Sequence, residues 1–302
     1  MQLLAATRTS PLALWQTREI EALLQRVDPT IELTPVLVDT PGDLNTDVPL
    51  SQIGGKGVFV KNVEAMILDG RADIAVHSGK DMPAQLAEGL IIAAVPERGD
   101  ARDCLVGAAL ADVPTGGSIA TGSPRRRAQL KMLRPDLVVP ELRGNIGTRL
   151  KKSAGFDAIV MATTALVRLE MEERIAEILE PDVMLPQVAQ GSLAVECVGW
   201  LTPLVELLAQ IEHPPSRLRF DAERAFLDEL GGDCELPAGA YAELDGEQIF
   251  LRGVLASPDG STMGQEHRRG TDADEVGRGV ARALLDRFPR APVPVGDRPG
   301  AV

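Results

Sequence analysis

Short apolar, β-branched runs alternate with helical patterns along the first two thirds of the chain, and the alternation occurs twice. The first series opens with "QLLAAT" and "PLALWQTREIEALLQRV", and the second opens after "PERGDARD" with "GGSIATG" and "PRRRAQLKML". Strands that alternate with helices indicate α/β units. We therefore predict two α/β lobes, residues 1–95 and residues 97–188. The strand-like run "GSLAVECVG" could return to either sheet, and we assign residues 190–212 to the first lobe.

The pattern changes from Pro214 onward. One long helical run, "SRLRFDAERAFLDEL", precedes two hairpin-like runs, "GAYAEL" and "QIFLRGVLA", and a last helix is predicted at about 272–287. This order indicates a small α+β domain over residues 214–288. The Pro-rich end "PRAPVPVGDRPGAV", residues 289–302, is predicted to be a disordered tail.

A strand followed by Ser-Pro and a helix occurs in both α/β series, as "ATRTSPLAL" and "ATGSPRRRAQ". Serine is a preferred helix N-cap and proline a preferred first helical residue, so Ser10 and Ser123 are each predicted to open a helix. The free amides of a helix N-terminus favour an anion. Capping alone would explain either serine. With Arg8 beside the first and Arg125, Arg126 and Arg127 beside the second, we favour anion binding.

Charge is unevenly distributed. The chain holds 31 basic and 44 acidic residues, a net charge of −13, which argues against a general nucleic-acid surface. Residues 121–152, however, hold nine basic residues against two acidic ones, so this window is +7 and the remainder is −20. A local anionic ligand is predicted there. A nucleic-acid binder using this window is an alternative, but the chain has a single tyrosine and few aromatic residues for base stacking.

Polar residues follow a predicted buried strand in "ADIAVHSGKDMP". Open α/β folds place their sites beyond the carboxyl ends of strands, so Asp81 is a candidate for proton transfer and Lys80 for anion binding. A surface ion pair is the alternative for these two. We interpret His77 as a hydrogen-bonded structural residue.

Two glycine-containing loops carry further basic residues. "ELRGNIGTRLKK" places Arg143 and Gly144 at a strand-to-helix junction with Arg149 one turn along, and "IGGKGVFVKN" suits a mobile flap carrying Lys56. The second loop lacks the order of a Walker motif, so a nucleotide site of that type is not expected.

Three cysteines lie far apart, with no CxxC and no histidine cluster, so neither a disulfide framework nor a metal site is expected. Cys104 and Cys197 lie in apolar runs and are predicted to be buried. Cys234, in "LGGDCELP", follows glycines and an aspartate that favour a turn. A loop is an unusual place for a thiol that only packs.

Six ordered stretches resemble the hydroxymethylbilane synthase family, also called porphobilinogen deaminase, nearly end to end: "ATRTSPLALWQ", "IGGKGVFVK", "RADIAVHSGKDMP", "LRGNIGTRL", "PQVAQGSLAVE" and "GGDCELPAGAYAEL". The resemblance implies two lobes like those of type II periplasmic binding proteins plus a small C-terminal domain. It also implies a transferase of porphyrin, tetrapyrrole and heme biosynthesis that joins four porphobilinogen units head to tail, releases ammonia at each step, and frees hydroxymethylbilane by adding water.

The resemblance further implies a dipyrromethane cofactor, held by a thioether to the residue matching Cys234. Asp81 matches the catalytic aspartate, which would stabilise the electrophile left by loss of ammonia and assist proton transfer. Lys56 matches the flap. Carboxylates of the cofactor and growing chain would be held by Lys80, Ser123, Arg125, Arg126, Arg143, Gly144 and Arg149, with Gln190 at the crossing between the lobes. Substrate would be held by Arg8, Ser10, Arg143, Arg149 and Arg168.

The family further implies a monomer without metal. No apolar run reaches the roughly 18 residues that span a bilayer, so we expect a cytoplasmic protein with no membrane or nucleic-acid partner.

Three positions depart from the family's usual pattern: Asp233 before the cysteine, Gly79 where methionine is common, and Pro124 where leucine is frequent. A solute-binding protein is the rival from another class, but it would need export and would not need Cys234.

Overall fold

The computed structural model describes residues 1–38, 60–231, 236–257 and 260–288. The predicted flap around Lys56, the Cys234 loop with Asp233, and the predicted tail at 289–302 lie outside the described residues.

The described elements, in chain order, are β1 (Gln2–Arg8), α1 (Pro11–Val27), β2 (Glu32–Val38), α2 (Lys61–Leu68), β3 (Ile74–Ser78), β4 (Leu90–Ala94), β5 (Asp103–Gly107), β6 (Ile119–Ala120), α3 (Pro124–Leu133), α4 (Ile146–Lys152), β7 (Ala158–Ala162), α5 (Thr163–Val167), β8 (Ile175–Leu179), β9 (Leu193–Val198), α6 (Thr202–Ala209), α7 (Pro214–Glu229), β10 (Ala238–Asp245), β11 (Gln248–Ala256), β12 (Met263–Gly270) and α8 (Ala273–Arg287). Single 3₁₀ turns occupy Gly79–Asp81, Ser153–Gly155 and Glu172–Arg174.

Three sheets organise these elements. The first has the order β2-β1-β3-β9-β4, the second β6-β7-β5-β8 and the third β10-β11-β12. In the first sheet β1 runs parallel to β2 and β3, whereas β9 is antiparallel to β3 and β4. The chain therefore crosses from the first sheet to the second after β4 and returns after β8. Both crossings lie beside the ends of strands that carry candidate site residues.

The third sheet is antiparallel throughout, and α7 and α8 pack on it. Two mixed α/β lobes and a small C-terminal domain of three strands and helices confirm the predicted class of fold.

None of the helices in the described ranges is long and apolar enough to cross a membrane. Cys104 and Cys197 are fully buried, as predicted.

Both predicted N-caps are confirmed. The Ser10 hydroxyl accepts a hydrogen bond from the backbone N–H of Ala13 at 3.2 Å, and the Ser123 hydroxyl accepts one from Arg126 at 3.4 Å. A proline follows each serine at the start of its helix, where its missing N–H costs nothing because that group has no intrahelical partner. Each helix thus begins at the point where the preceding chain leaves a strand.

A buried ion pair joins the first crossing to the C-terminal domain. Arg98 donates two hydrogen bonds to Glu223 of α7, at 2.7 and 3.0 Å, and the Glu223 side chain is fully buried. The same carboxylate accepts the backbone N–H groups of Ala189 and Ala242, at 2.7 and 2.9 Å. Because four donors satisfy it, the charge can stay buried.

We expect Glu223→Ala to lower the free energy of unfolding by about 3–5 kcal/mol, because it leaves a buried guanidinium and two amides without their acceptor. Chemical denaturation would measure this loss. The control is Asp69→Ala, which breaks an Arg71–Asp69 pair whose side chains are both 59% exposed; its cost should stay below about 1 kcal/mol. Equal costs for the two variants would contradict the role given to Glu223.

Candidate active site

Two neighbouring strands of the first sheet end at one cavity. β1 ends at Arg8 and leads to the Ser10 cap, while β3 ends at Ser78 and leads to the turn containing Asp81. Because β1 and β3 are parallel neighbours, their carboxyl ends lie side by side. The cavity is lined by Arg8, Ser10, Leu12, Ala13, Gln16, Val60, Val63, Val76, His77, Ser78 and Asp81. The structure thus brings Asp81 together with Arg8 and Ser10, which lie far from it in sequence.

Gln190 connects this turn to the second lobe. Its side chain is fully buried, and its Oε1 accepts a hydrogen bond from Lys80 Nζ at 3.3 Å. Its Nε2 donates to the Ala101 carbonyl and to Asp103 Oδ1, both at 2.8 Å. Gln190 therefore bonds both to Lys80 beyond β3 of the first sheet and to Asp103 at the start of β5 of the second.

Asp103 is a site residue that the sequence pattern did not reveal. It begins β5 and is fully buried, and it accepts hydrogen bonds from Arg125 Nη1 at 2.8 Å and Arg126 Nη2 at 2.7 Å. Burial opposes ionisation of Asp103, but the two guanidinium groups outweigh it and hold the pKa of this carboxyl well below its usual range. The one sign of Asp103 in the sequence was its position as an acidic residue at the start of the apolar run "DCLVG".

Arg125 and Arg126 are enclosed by the protein, with 2% and 6% of their surface exposed. Further hydrogen bonds run from Arg125 to the Leu185 carbonyl at 2.6 Å and from Arg126 to the Val160 carbonyl at 3.1 Å. The Nε atom of each is buried and has no hydrogen-bond partner among the described residues. Both side chains are thus held in place by the fold, and each has an Nε donor for which residues 1–38, 60–231, 236–257 and 260–288 supply no acceptor.

Arg149 lies on α4, whose N-cap is the side chain of Asn145. Its Nε donates to the Gly144 carbonyl at 2.7 Å, and Gly144 has φ of 120°, a conformation that favours glycine. Burial, together with the positive charges of Arg126 and Arg143, lowers the pKa of Arg149 to about 10. The strand predicted before this helix is wrong, because an isolated β-bridge at Val138 is all that forms between α3 and α4. Arg149 nevertheless lies close enough to Arg126 for the two charges to interact.

The positive charges of this cluster also act on Lys80. Burial, with the charges of Arg126 and Arg149, lowers its pKa to about 8, although Asp81 and Asp103 favour the charged form. Among the described residues of this cluster, the five cations Lys80, Arg125, Arg126, Arg143 and Arg149 outnumber the three carboxylates of Asp81, Asp103 and Glu141. A ligand with several carboxylates would balance this excess, so the residues present fit a polycarboxylate.

Arg168 reaches from the second lobe toward α1. Its Nη2 donates to the Gly191 carbonyl at 2.7 Å, and its guanidinium lies 5.3 Å from the centre of the Trp15 ring. Burial lowers the pKa of Arg168 to about 10. The sequence did not predict this contact of Trp15, which lies in the motif "LALWQ", because an aromatic residue on a helix is ordinarily part of a core.

His77 is a hydrogen-bonded structural residue, as the sequence indicated. It is bonded to Glu196 of β9 at 2.9 Å, and both side chains are buried. Arg127, in contrast to Arg125 and Arg126, is 41% exposed and pairs with the exposed Glu141 on the surface of the second lobe, so it lies on a solvated helix face.

The fold and this site define a mixed α/β protein with an enclosed cluster of cationic side chains near the strand ends. The family model described as porphobilinogen deaminase, dipyromethane cofactor binding domain, matches residues 3–200, and that described as porphobilinogen deaminase, C-terminal domain, matches residues 218–286. The chain belongs to the porphobilinogen deaminase family.

Solved structures similar to this chain include the VFT2 domain of Bordetella pertussis BvgS, a double mutant, at 18% identity over 70% of this chain and 86% of that one, with a TM-score of 0.40. A nutrient binding protein from Burkholderia cenocepacia, bound to methionine, matches at 11% identity over 75% and 95%, with a TM-score of 0.42. TM-scores this low do not establish a shared fold. The class of fold is defined by the sheet topology of this chain.

We expect Asp103→Asn to lower the free energy of unfolding at pH 7 by about 3–5 kcal/mol, because it leaves Arg125 buried without a counter-charge. The folded-state pKa of Asp103 lies below the ordinary value of 3.8, so its stabilisation is complete above that value and is lost as the pH falls. The gap between wild type and variant should therefore narrow below about pH 4.

Denaturant titrations at several pH values would measure this, with Glu141→Gln as the control on the exposed Arg127 pair. A gap that did not depend on pH below 4 would contradict an ionised, arginine-bound Asp103.

Proposed function

We propose that this chain is a hydroxymethylbilane synthase that joins four porphobilinogen units head to tail with release of ammonia and then frees the linear tetrapyrrole by hydrolysis. The observation that carries the proposal is the cationic cluster around Lys80 and Arg149 beside the Asp81 turn, in a chain of the porphobilinogen deaminase family. Porphobilinogen carries an acetate and a propionate, so each added unit brings two carboxylates that need cationic partners.

The dipyrromethane cofactor, attached through Cys234, would supply the pyrrole carbon to which the first unit is joined. Its carboxylates would be held by Lys80, Ser123, Arg125, Arg126, Arg143, Gly144 and Arg149, with Gln190 bridging the lobes. The buried Nε atoms of Arg125 and Arg126 that have no partner support this assignment. A carboxylate near Lys80 would favour the charged form of its amine, and it would thus counter the burial that now lowers its pKa.

Asp81 would be the catalytic residue. Its carboxylate lines the cavity with Arg8, Ser10 and Ser78, where it would stabilise the positive charge left on porphobilinogen as ammonia departs. The same carboxylate can hold the proton passed to the leaving amine and recovered from the attacking pyrrole. Ser78 lines the same cavity, and its hydroxyl is oriented by a hydrogen bond that it accepts from Gln16 at 2.7 Å.

Arg8, Ser10, Arg143, Arg149 and Arg168 would hold the carboxylates of the incoming porphobilinogen. For Arg168 this role is supported by the way its guanidinium is held, with a hydrogen bond to the Gly191 carbonyl at 2.7 Å and the Trp15 ring centre at 5.3 Å. We further propose a cytoplasmic monomer of porphyrin and heme biosynthesis that needs no metal, membrane or nucleic acid.

The first test is intact-protein mass spectrometry of chain produced where porphobilinogen is available. We expect an added mass of two porphobilinogen units less two molecules of ammonia, lost in Cys234→Ala. Cys104→Ala is the matched control, because burial raises the pKa of that thiol to about 11 and keeps it unreactive. A bare polypeptide mass in the wild type, or an adduct persisting in Cys234→Ala, would refute the attachment.

The second test is Asp81→Asn. The variant should keep the adduct and bind porphobilinogen, yet kcat should fall by about 10²–10⁴-fold, because the amide can neither accept the proton nor oppose the developing charge. Steady-state product formation and trapping of enzyme-bound chains would measure this. Asp73→Asn is a control on a carboxylate that instead accepts the backbone N–H of Leu4. Near-normal turnover in Asp81→Asn would end the catalytic assignment.

A further inference from the structure

The 3₁₀ turn Gly79–Asp81 presents both Lys80 and Asp81, so its position decides where these two groups lie. Gly79 is buried at the base of this turn. Its N–H donates to the Ser192 carbonyl at 2.9 Å, and its carbonyl accepts from Met82 at 3.2 Å. The backbone of the turn is therefore bonded on one side to the returning crossing.

The other side of Gly79 is filled by an aromatic ring. A Cβ atom at position 79 would lie 2.8 Å from Phe220 Cε2 and 3.1 Å from both the Cβ and the carbonyl oxygen of Ala189. Gly79 is not among the glycines with positive φ. Lack of space, and not backbone conformation, thus requires glycine at this position.

Neither neighbour can easily move. Phe220 is fully buried on α7, and displacing an aromatic ring in a close-packed core costs free energy. Ala189 has φ of 56° and donates its N–H to Glu223 of the same helix at 2.7 Å. The two groups that face Gly79 are thus both held by α7.

The same helix contacts the chain again just beyond the turn. Arg224 Nη2 donates to the carbonyls of Pro83 and Ala84, both at 2.8 Å, and its guanidinium lies 5.5 Å from the Phe220 ring centre. Met82 packs into the cluster that contains Phe220. α7 of the C-terminal domain therefore contacts residues 79 to 84 at both ends of the segment.

We propose that Phe220 is a positioning residue for the reaction, whose ring, seated against the bare Cα of Gly79, sets the place of Lys80 and Asp81 relative to the first-lobe cavity. The inference rests on the proposed function for its kinetic consequence, but not for its structural one. Phe220 acts through the turn and does not itself line the cavity. If the ring only filled the core, altering it would lower stability and leave the two catalytic-turn side chains where they are.

The experiment is a double-mutant cycle of Gly79→Ala and Phe220→Leu. The added methyl should push the turn away from the ring, and the smaller leucine should restore the space. A matched control cycle is Gly253→Ala with Phe226→Leu. Phe226 lies on the same helix α7, and a Cβ at Gly253 of β11 would lie 2.7 Å from both Phe226 Cε2 and Val280 Cγ1, whereas Phe226 is not among the groups nearest to Gly79. All variants are produced and purified in the same way as wild type, and their unfolding midpoints are recorded.

The first readout needs no substrate. Competitive acetylation with acetic anhydride over a pH series, followed by peptide mass spectrometry, gives the pH at which Lys80 is half reactive. We expect Gly79→Ala to shift this midpoint by at least about half a pH unit from wild type and the double variant to return it, because the surroundings of the amine set its pKa. The control cycle should leave the midpoint unchanged.

The second readout is kinetic. Gly79→Ala should lower kcat for porphobilinogen by about 10–100-fold with a smaller change in KM, and adding Phe220→Leu should recover most of the loss. If wild type does not consume porphobilinogen, the proposed function fails while the acetylation midpoint still decides this inference. An unchanged Lys80 midpoint in Gly79→Ala, or no recovery in the double variant, would overturn the positioning role even if stability had fallen.

Discussion

The buried carboxylate of Asp103 is the interaction around which the site is arranged. It is fully buried, yet it remains ionised because Arg125 and Arg126 donate to it and Gln190 adds a third donor. These contacts orient two arginines from α3, and through Gln190 they join the crossing segment to Lys80. A buried charge is stable only when its partners are well placed, so this pairing constrains the relative positions of β5, α3 and the crossing.

Positive charge remains after this pairing. Lys80 and Arg149 both have lowered pKa values because burial and neighbouring cations disfavour their charged forms. Such a cluster is destabilising in an empty site, and proteins retain strain of this kind where a ligand relieves it. A polycarboxylate chain that lengthens by two carboxylates per unit is a ligand of that kind, which connects the electrostatics of the cleft to the family's reaction.

The C-terminal domain also contacts the residues around the site, through its helix α7. Glu223, Phe220 and Arg224 lie on one helix, and each contacts a different part of the first lobe or the crossing. Gly79 is where this matters most, because a Cβ atom there would lie 2.8 Å from the Phe220 ring. A glycine of the first lobe therefore has its packing partner far along the chain.

Local signals in the sequence determined the alternation of strands and helices, the Ser10 and Ser123 caps, the burial of Cys104, and the basic window, because backbone preference, capping and charge are properties of neighbouring residues. The ordered motifs also determined the family. Only the tertiary structure decided that Asp103 pairs with Arg125 and Arg126, that Trp15 faces Arg168, and that Phe220 fills the space at Gly79. Those contacts join residues that are distant in sequence, and periodicity cannot report which buried faces meet when separate sheets and helices pack.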